Sequence, residues 1–85
     1  MQLNKKALGL TAAVLSGAFW LVTMVVSLLT GVGELTLTTI GSFHPFFEYS
    51  WVGMVVIVVE HLICGFILGW LFAWVYNKFL SRPAV

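Results

Sequence analysis

Two long apolar runs separated by a mixed stretch make the pattern of this chain. From Ala7 to Thr30 nearly every residue is apolar, small or hydroxylic, and a second such run extends from Trp51 to Asn77. At 1.5 Å per residue, about 24 residues of helix cover the ~30 Å of a hydrocarbon core with some tilt. Each run therefore predicts one membrane-spanning helix, over about 7–30 and 51–77. The start of the first run has the basic-then-apolar look of a signal peptide. It continues far past Ala18, however, beyond the usual h-region of about 7–15 residues, and reads as a retained span.

Between the runs, Gly31-Val32-Gly33 ends the first helix, since glycine readily takes the left-handed conformation of a helix C-terminus. In the connector, 31–50, the pattern is mixed. Val32, Leu35, Ile40 and Phe43 fall on one helical face, whereas Leu35 and Leu37 alternate as in a strand. The choice is a short interfacial helix, then a turn at His44-Pro45, with Phe43, Phe46, Phe47, Tyr49 and Trp51 as an aromatic belt. Trp70, Trp74, Tyr76 and Phe79 make a second belt at the far end.

Composition changes the picture in one respect: it names the solvent. Of 85 residues, 61% are hydrophobic and 8% charged, and the mean hydropathy is +1.08. A soluble domain carries about 25% charged residues. A net charge of +1 leaves no electrostatic footprint for nucleic acid. The basic residues Lys5, Lys6, Lys78 and Arg82 all lie near the chain ends, and the connector holds Glu34 and Glu48. The positive-inside rule then puts both termini in the cytoplasm and the connector outside the cell membrane. The expected fold is all-α: a single membrane domain, an antiparallel two-helix transmembrane hairpin with a short outer connector.

The first helix carries a seam of Gly9, Ala13, Ser16, Trp20, Thr23, Ser27 and Thr30, mostly small or hydroxylic. Small residues allow close backbone approach, and buried hydroxyls bond across helices. If the span midpoints share one depth, facing residues have numbers that sum to about 82. That register sets Gly65 opposite Gly17, Gly69 opposite Ala13 and Ala73 opposite Gly9, two matched ridges of small residues. The same ridges suit contact between chains, so homo-oligomerisation competes with closure of the hairpin.

The candidate chemistry is Glu60-His61, in the middle of the second run. An acidic residue near a helix centre costs about 2.5–3.5 kcal/mol to insert. Glu60 is therefore expected to hydrogen-bond across the helices, with Thr23 and Ser27 near the right depth. It reads either as interhelical glue or as a proton or cation relay or gating residue. His61 continues the ridge Gly65-Gly69-Ala73. It reads as a histidine bonded to a neighbouring helix or, alternatively, as an axial ligand of haem or chlorophyll, with Gly65 giving clearance for the macrocycle. As the one intramembrane histidine, it would need a second chain for bis-histidine ligation. Cys64, the one cysteine, forms no intrachain disulfide. Glu60 and His61 point about 100° apart on a helix, so with Cys64 they make no metal site. No cofactor is expected as the first choice. No nucleophile–base pair, phosphate loop or dinucleotide motif is present, and an enzyme is not expected.

The opening Met1-Gln2-Leu3-Asn4-Lys5-Lys6-Ala7-Leu8, the turn at His44-Pro45 and the ending Gly69-Trp70-Leu71-Phe72-Ala73-Trp74-Val75-Tyr76-Asn77-Lys78 together resemble an uncharacterised family. Its members are small bacterial and archaeal two-span membrane proteins, sometimes labelled phage holin. The resemblance implies a helical hairpin with a short outer segment and carries over no binding or catalytic residue. Where the family has an aspartate flanked by glycines, this chain has Glu60, His61 and Cys64. The expected role is structural or accessory: packing as a homo-oligomer or as a subunit of a larger membrane complex. The alternatives are a holin-like pore lined by Ser16, Thr23, Ser27 and Thr30, and a tetrapyrrole-binding subunit using His61.

Overall fold

A computed structural model of the chain describes residues 2–80. Among these residues there are three helices and no strand: α1, Lys5–Thr30; α2, Glu34–Gly41; and α3, Trp51–Leu80. Arg82 lies outside the described residues. The two long helices run antiparallel and pack along their length, giving a rod of 54 × 20 × 19 Å. Both are long and apolar enough to cross a membrane.

Local chemistry explains the helix ends. The Asn4 side chain accepts from the Ala7 backbone N–H and caps α1. At the other end Gly31 takes φ +78° and donates its N–H to the Ser27 carbonyl at 2.7 Å, closing the last turn. Gly33, again left-handed, starts α2 two residues later. Ser50 accepts from the Gly53 N–H at 3.1 Å and caps α3. The segment before α1 is joined to the end of α3 across the hairpin: Asn77 accepts from the Leu3 N–H and donates to the Leu3 carbonyl, both at 2.8 Å.

The seam between α1 and α3 is made of small residues at one end and large ones at the other. On α1 the buried positions are Gly9, Ala13, Gly17, Trp20, Met24 and Ser27. On α3 they are Gly53, Ile57, Gly65, Gly69 and Ala73, spaced in fours about half-buried His61. Toward the connector Trp20, Met24, Leu37 and Ile57 form the hydrophobic core, with Phe47, Tyr49 and Met54 packed against it. Rows spaced by four run obliquely over a helix surface, and such ridges interdigitate when two helices cross.

The observed register differs from the one expected. A Cβ on Gly65 would stand 2.9 Å from Ala13 Cα and 2.5 Å from Ser16 Oγ, and one on Gly69 would stand 2.9 Å from Gly9 Cα. Gly65 thus faces Ala13 instead of Gly17, and Gly69 faces Gly9 instead of Ala13. The shift is one helical turn, about 5.4 Å of sliding. Gly17 instead receives the Leu62 side chain. Equal midpoint depth is a poor guide because the bulky Trp20–Met24–Ile57 core, not span length, determines how far the helices slide.

The connector has the expected short helix and turn, and differs in which of its side chains turn inward. The turn lies at His44-Pro45-Phe46-Phe47, with Phe46 at φ +62° and the Phe47 N–H directed to the His44 carbonyl. Val32, Leu35, Ile40 and Phe43 are exposed, and it is Leu37 that enters the core. Of the expected outer belt, Phe43, Phe46 and Trp51 are exposed, whereas Phe47 and Tyr49 turn inward. Phe47 can do so because Gly41 is bare: a Cβ there would collide with its ring.

Candidate functional site: the Trp20, His44 and His61 cluster

The aromatic and titratable side chains meet at the middle of the hairpin. The His61 ring lies 4.9 Å from Trp20, tilted 36°, and the His44 ring lies 5.1 Å from His61, tilted 35°. Trp20 and His44 complete the triangle at 5.9 Å and 63°. Each ring comes from a different segment: α1, the connector turn and α3.

Short-range bonds hold the two imidazoles. His61 Nδ1 is 2.9 Å from the Ile57 carbonyl, and His44 Nδ1 is 3.2 Å from the Ile40 carbonyl. A carbonyl only accepts, so in each ring Nδ1 carries the proton and Nε2 is the position left for another partner. His44 reaches its place because two turns continue α2 past its end: Phe43 N–H to the Ile40 carbonyl at 3.1 Å, and His44 N–H to the Gly41 carbonyl at 2.9 Å.

A cavity of about 210 Å³ opens beside the stack, lined by His44, Glu60, His61, Cys64 and Ser16 among others. Oε1 of Glu60 is buried without a hydrogen-bond partner, and the Cys64 thiol is free and exposed. The arrangement gathers two imidazoles and one carboxyl around a small space, groups able to accept or pass a proton. Among the described residues no set of three His, Cys, Asp or Glu side chains is placed to hold a metal ion.

Several expected partnerships are replaced by others. Glu60 bonds neither Thr23 nor Ser27. The Ser27 hydroxyl pairs with the Tyr49 hydroxyl at 2.6 Å, and Tyr49 also donates to the Ser27 carbonyl at 3.0 Å. Thr23 is half-buried on α1. The register accounts for the change: with the helices slid by a turn, Glu60 stands nearer the depth of Ala18, and Thr23 and Ser27 lie beyond it toward the connector. The Ser16 hydroxyl, within 2.8 Å of the Ala12 carbonyl, also lies 3.1 Å from the His61 carbonyl, so this seam serine ties the helices directly. Thr30 donates back to the Val26 carbonyl.

All six small ridge residues, Gly9, Ala13, Gly17, Gly65, Gly69 and Ala73, are buried between the helices. Two consequences bear on the alternative readings. Ser16 is turned toward α3 and Ser27 is paired with Tyr49 of the connector, so both hydroxyls are spent in bonds within the chain. The space beside Gly65, where a macrocycle edge would lie, holds Ser16, Ala12 and Ala13.

His44 was missed as a site residue because it sits in the connector. A single polar residue carried inward by a turn leaves no periodic signal. Met24 and Ile57, both 0% exposed, were missed because an apolar residue in an apolar run looks alike on either face.

Comparison with known proteins yields no matching family model, no matching curated protein and no matching solved structure.

Proposed function

We propose that the chain is a two-span integral membrane protein with a structural or accessory role, packing through its outer faces against further copies or against subunits of a larger membrane complex. The observation that carries this reading is an inverted distribution of side chains. Gly, Ala and Ser fill most of the contact between α1 and α3. Leu15, Phe19, Val22, Leu68 and Phe72, with many more of their kind, stand outward, each over 60% exposed. A monomer in water does not keep its largest apolar side chains on its surface in one continuous sheath. Lipid solvates such a sheath, and close packing of small residues joins the helices within it.

The start of α1 and the end of α3 lie at one end of the hairpin, held by the Leu3–Asn77 bonds. Lys5, Lys6 and Lys78 are at that end, and Glu34 and Glu48 are in the connector region. The orientation proposed is therefore termini in the cytoplasm and connector outside. The resemblance to small two-span prokaryotic proteins fits the same reading.

The decisive experiment is extraction of native membranes, first with alkaline carbonate and then with mild detergent, followed by native electrophoresis and identification of co-migrating chains. Retention in the carbonate pellet and migration as a multimer or in a larger complex is the expected result. Release by carbonate, or a lone monomer, defeats the proposal. Membrane leakage on overexpression would point instead to the holin-like alternative.

A further inference from the structure

Lys5, Lys6 and Lys78, three of the four basic residues of the chain, line one cavity of about 650 Å³ at the end of the hairpin that carries the termini. They come from opposite helices: the first turn of α1 and the last turns of α3. Trp70, Trp74 and Asn77 line the same cavity, and among the described residues no Asp or Glu side chain does.

The site is held in shape. The reciprocal Asn77–Leu3 bonds tie the start of the chain to α3 beside the cavity. Lys5 Nζ lies 5.1 Å from the centroid of the Trp70 ring, and Lys78 Nζ lies 5.0 Å from that of Trp74. Each ammonium is thereby stationed over an aromatic face at the edge of the apolar sheath.

A second surface adjoins the first. Trp70 also lines an apolar groove of about 220 Å³ with Phe66, Ile67 and Leu71. These positions lie on one side of α3, on the turn immediately toward the centre of the helix. One residue thus separates a cationic polar cavity from an apolar channel leading toward the interior of the sheath. Inorganic phosphate would use the first alone. A molecule with an anionic head and an apolar tail uses both.

We propose that this end of the hairpin binds one anionic phospholipid, its phosphate among Lys5, Lys6 and Lys78 and one acyl chain along Phe66, Ile67 and Leu71 past Trp70. The proposal rests on the membrane reading above. It differs from the general attraction of basic segments for an anionic surface in requiring saturation at one lipid per chain.

The test uses the full chain in non-ionic detergent, titrated with dioleoyl phosphatidylglycerol or dioleoyl phosphatidylcholine and read by native mass spectrometry. One phosphatidylglycerol per chain is expected, bound at least about tenfold tighter than phosphatidylcholine. The triple variant K5Q/K6Q/K78Q should lose about a hundredfold, at about fivefold per lysine, with unchanged helical circular dichroism. Lys6→Gln alone, which leaves both lysine–tryptophan contacts in place, should lose about fivefold and keeps the test valid if the triple variant misfolds. Trp70→Ala should weaken both lipids. Equal binding of the two lipids, full retention of phosphatidylglycerol by Lys6→Gln and the triple variant, or displacement by inorganic phosphate at equal concentration would each overturn the site. Release of the native protein by carbonate would instead remove the membrane reading itself, so the two failures are told apart.

Discussion

The imidazole of His44, from the connector turn, stacks 5.1 Å from the imidazole of His61, in the connector-side half of α3, with 35° between the planes. Aromatic pairs at such separations contribute about 0.5–1.5 kcal/mol beyond their buried area. The pair ties the connector to the hairpin. In a double-mutant cycle with His44→Ala and His61→Ala, measured by unfolding in detergent, a coupling of about 1 kcal/mol is expected. Strict additivity would mean that the two rings do not support one another.

Gly65 and Gly69 are places where α1 leaves no room. Atoms of Ser16, Ala12, Ala13, Leu8 and Gly9 lie within 3 Å of where a Cβ would stand. Overpacking costs typically about 1–3 kcal/mol, and more where backbone must retreat. Gly65→Leu and Gly69→Leu should therefore exceed about 2 kcal/mol of destabilisation in the same unfolding assay. Ile63→Leu, on the exposed side of α3, should leave the midpoint in place. Near-parental behaviour of both glycine variants would separate the ridges from closure of the hairpin.

Ser27, on α1, and Tyr49, in the connector, form a single hydrogen-bonded unit that ties the connector to the hairpin. Hydrogen bonds between membrane helices average about 0.6 kcal/mol. Ser27→Ala, which removes the bond between the hydroxyls, should cost about that much; Tyr49→Phe, which also removes the bond to the Ser27 carbonyl, should cost about twice as much, and the double variant should cost little more than Tyr49→Phe alone. A fully additive double variant would show that the hydroxyls act independently.

Glu60 presents a different case, since its buried Oε1 has no partner within the hairpin. An unsatisfied buried polar group costs about 1–3 kcal/mol. Glu60→Leu should therefore stabilise the isolated hairpin while weakening assembly with other chains, and Glu60→Gln should fall between. Native electrophoresis beside the unfolding assay reads the two effects separately. If Glu60→Leu leaves the assembly intact, the carboxyl serves no partner chain.

How much of this was legible in sequence depends on the range of the interaction. Gly9, Ala13, Gly17, Gly65, Gly69 and Ala73 stood out because a small residue recurring every fourth position in an apolar run marks one helix face whatever lies opposite. Gly31 marked the end of α1 for a reason internal to a single turn, whereas the Asn4 cap at its start emerged only in the structure. The pairing of Glu60 with Thr23 or Ser27 failed because it required a register across two helices, and that register is decided by Trp20, Met24, Leu37 and Ile57 together. Leu37 left no comparable signal: the helix is eight residues long, and only the Trp20–Met24–Ile57 core it meets distinguishes it from its exposed neighbours Leu35 and Ile40.

The residue pattern alone determined the all-helical character, the two long apolar helices, the helix-breaking glycines and the small-residue ridges, because backbone hydrogen bonding and steric size act within a turn or two of the chain. Only the tertiary structure decided that the helices slide by a turn, that Tyr49 claims Ser27, and that His44 folds back onto His61 and Trp20. Those outcomes depend on which large side chains reach the same space at once, a competition between residues far apart in sequence. The Glu60-His61 pair began as a local irregularity in an apolar run. It ends as two residues with different surroundings: His61 built into an aromatic cluster, and Glu60 beside it with an unpaired oxygen.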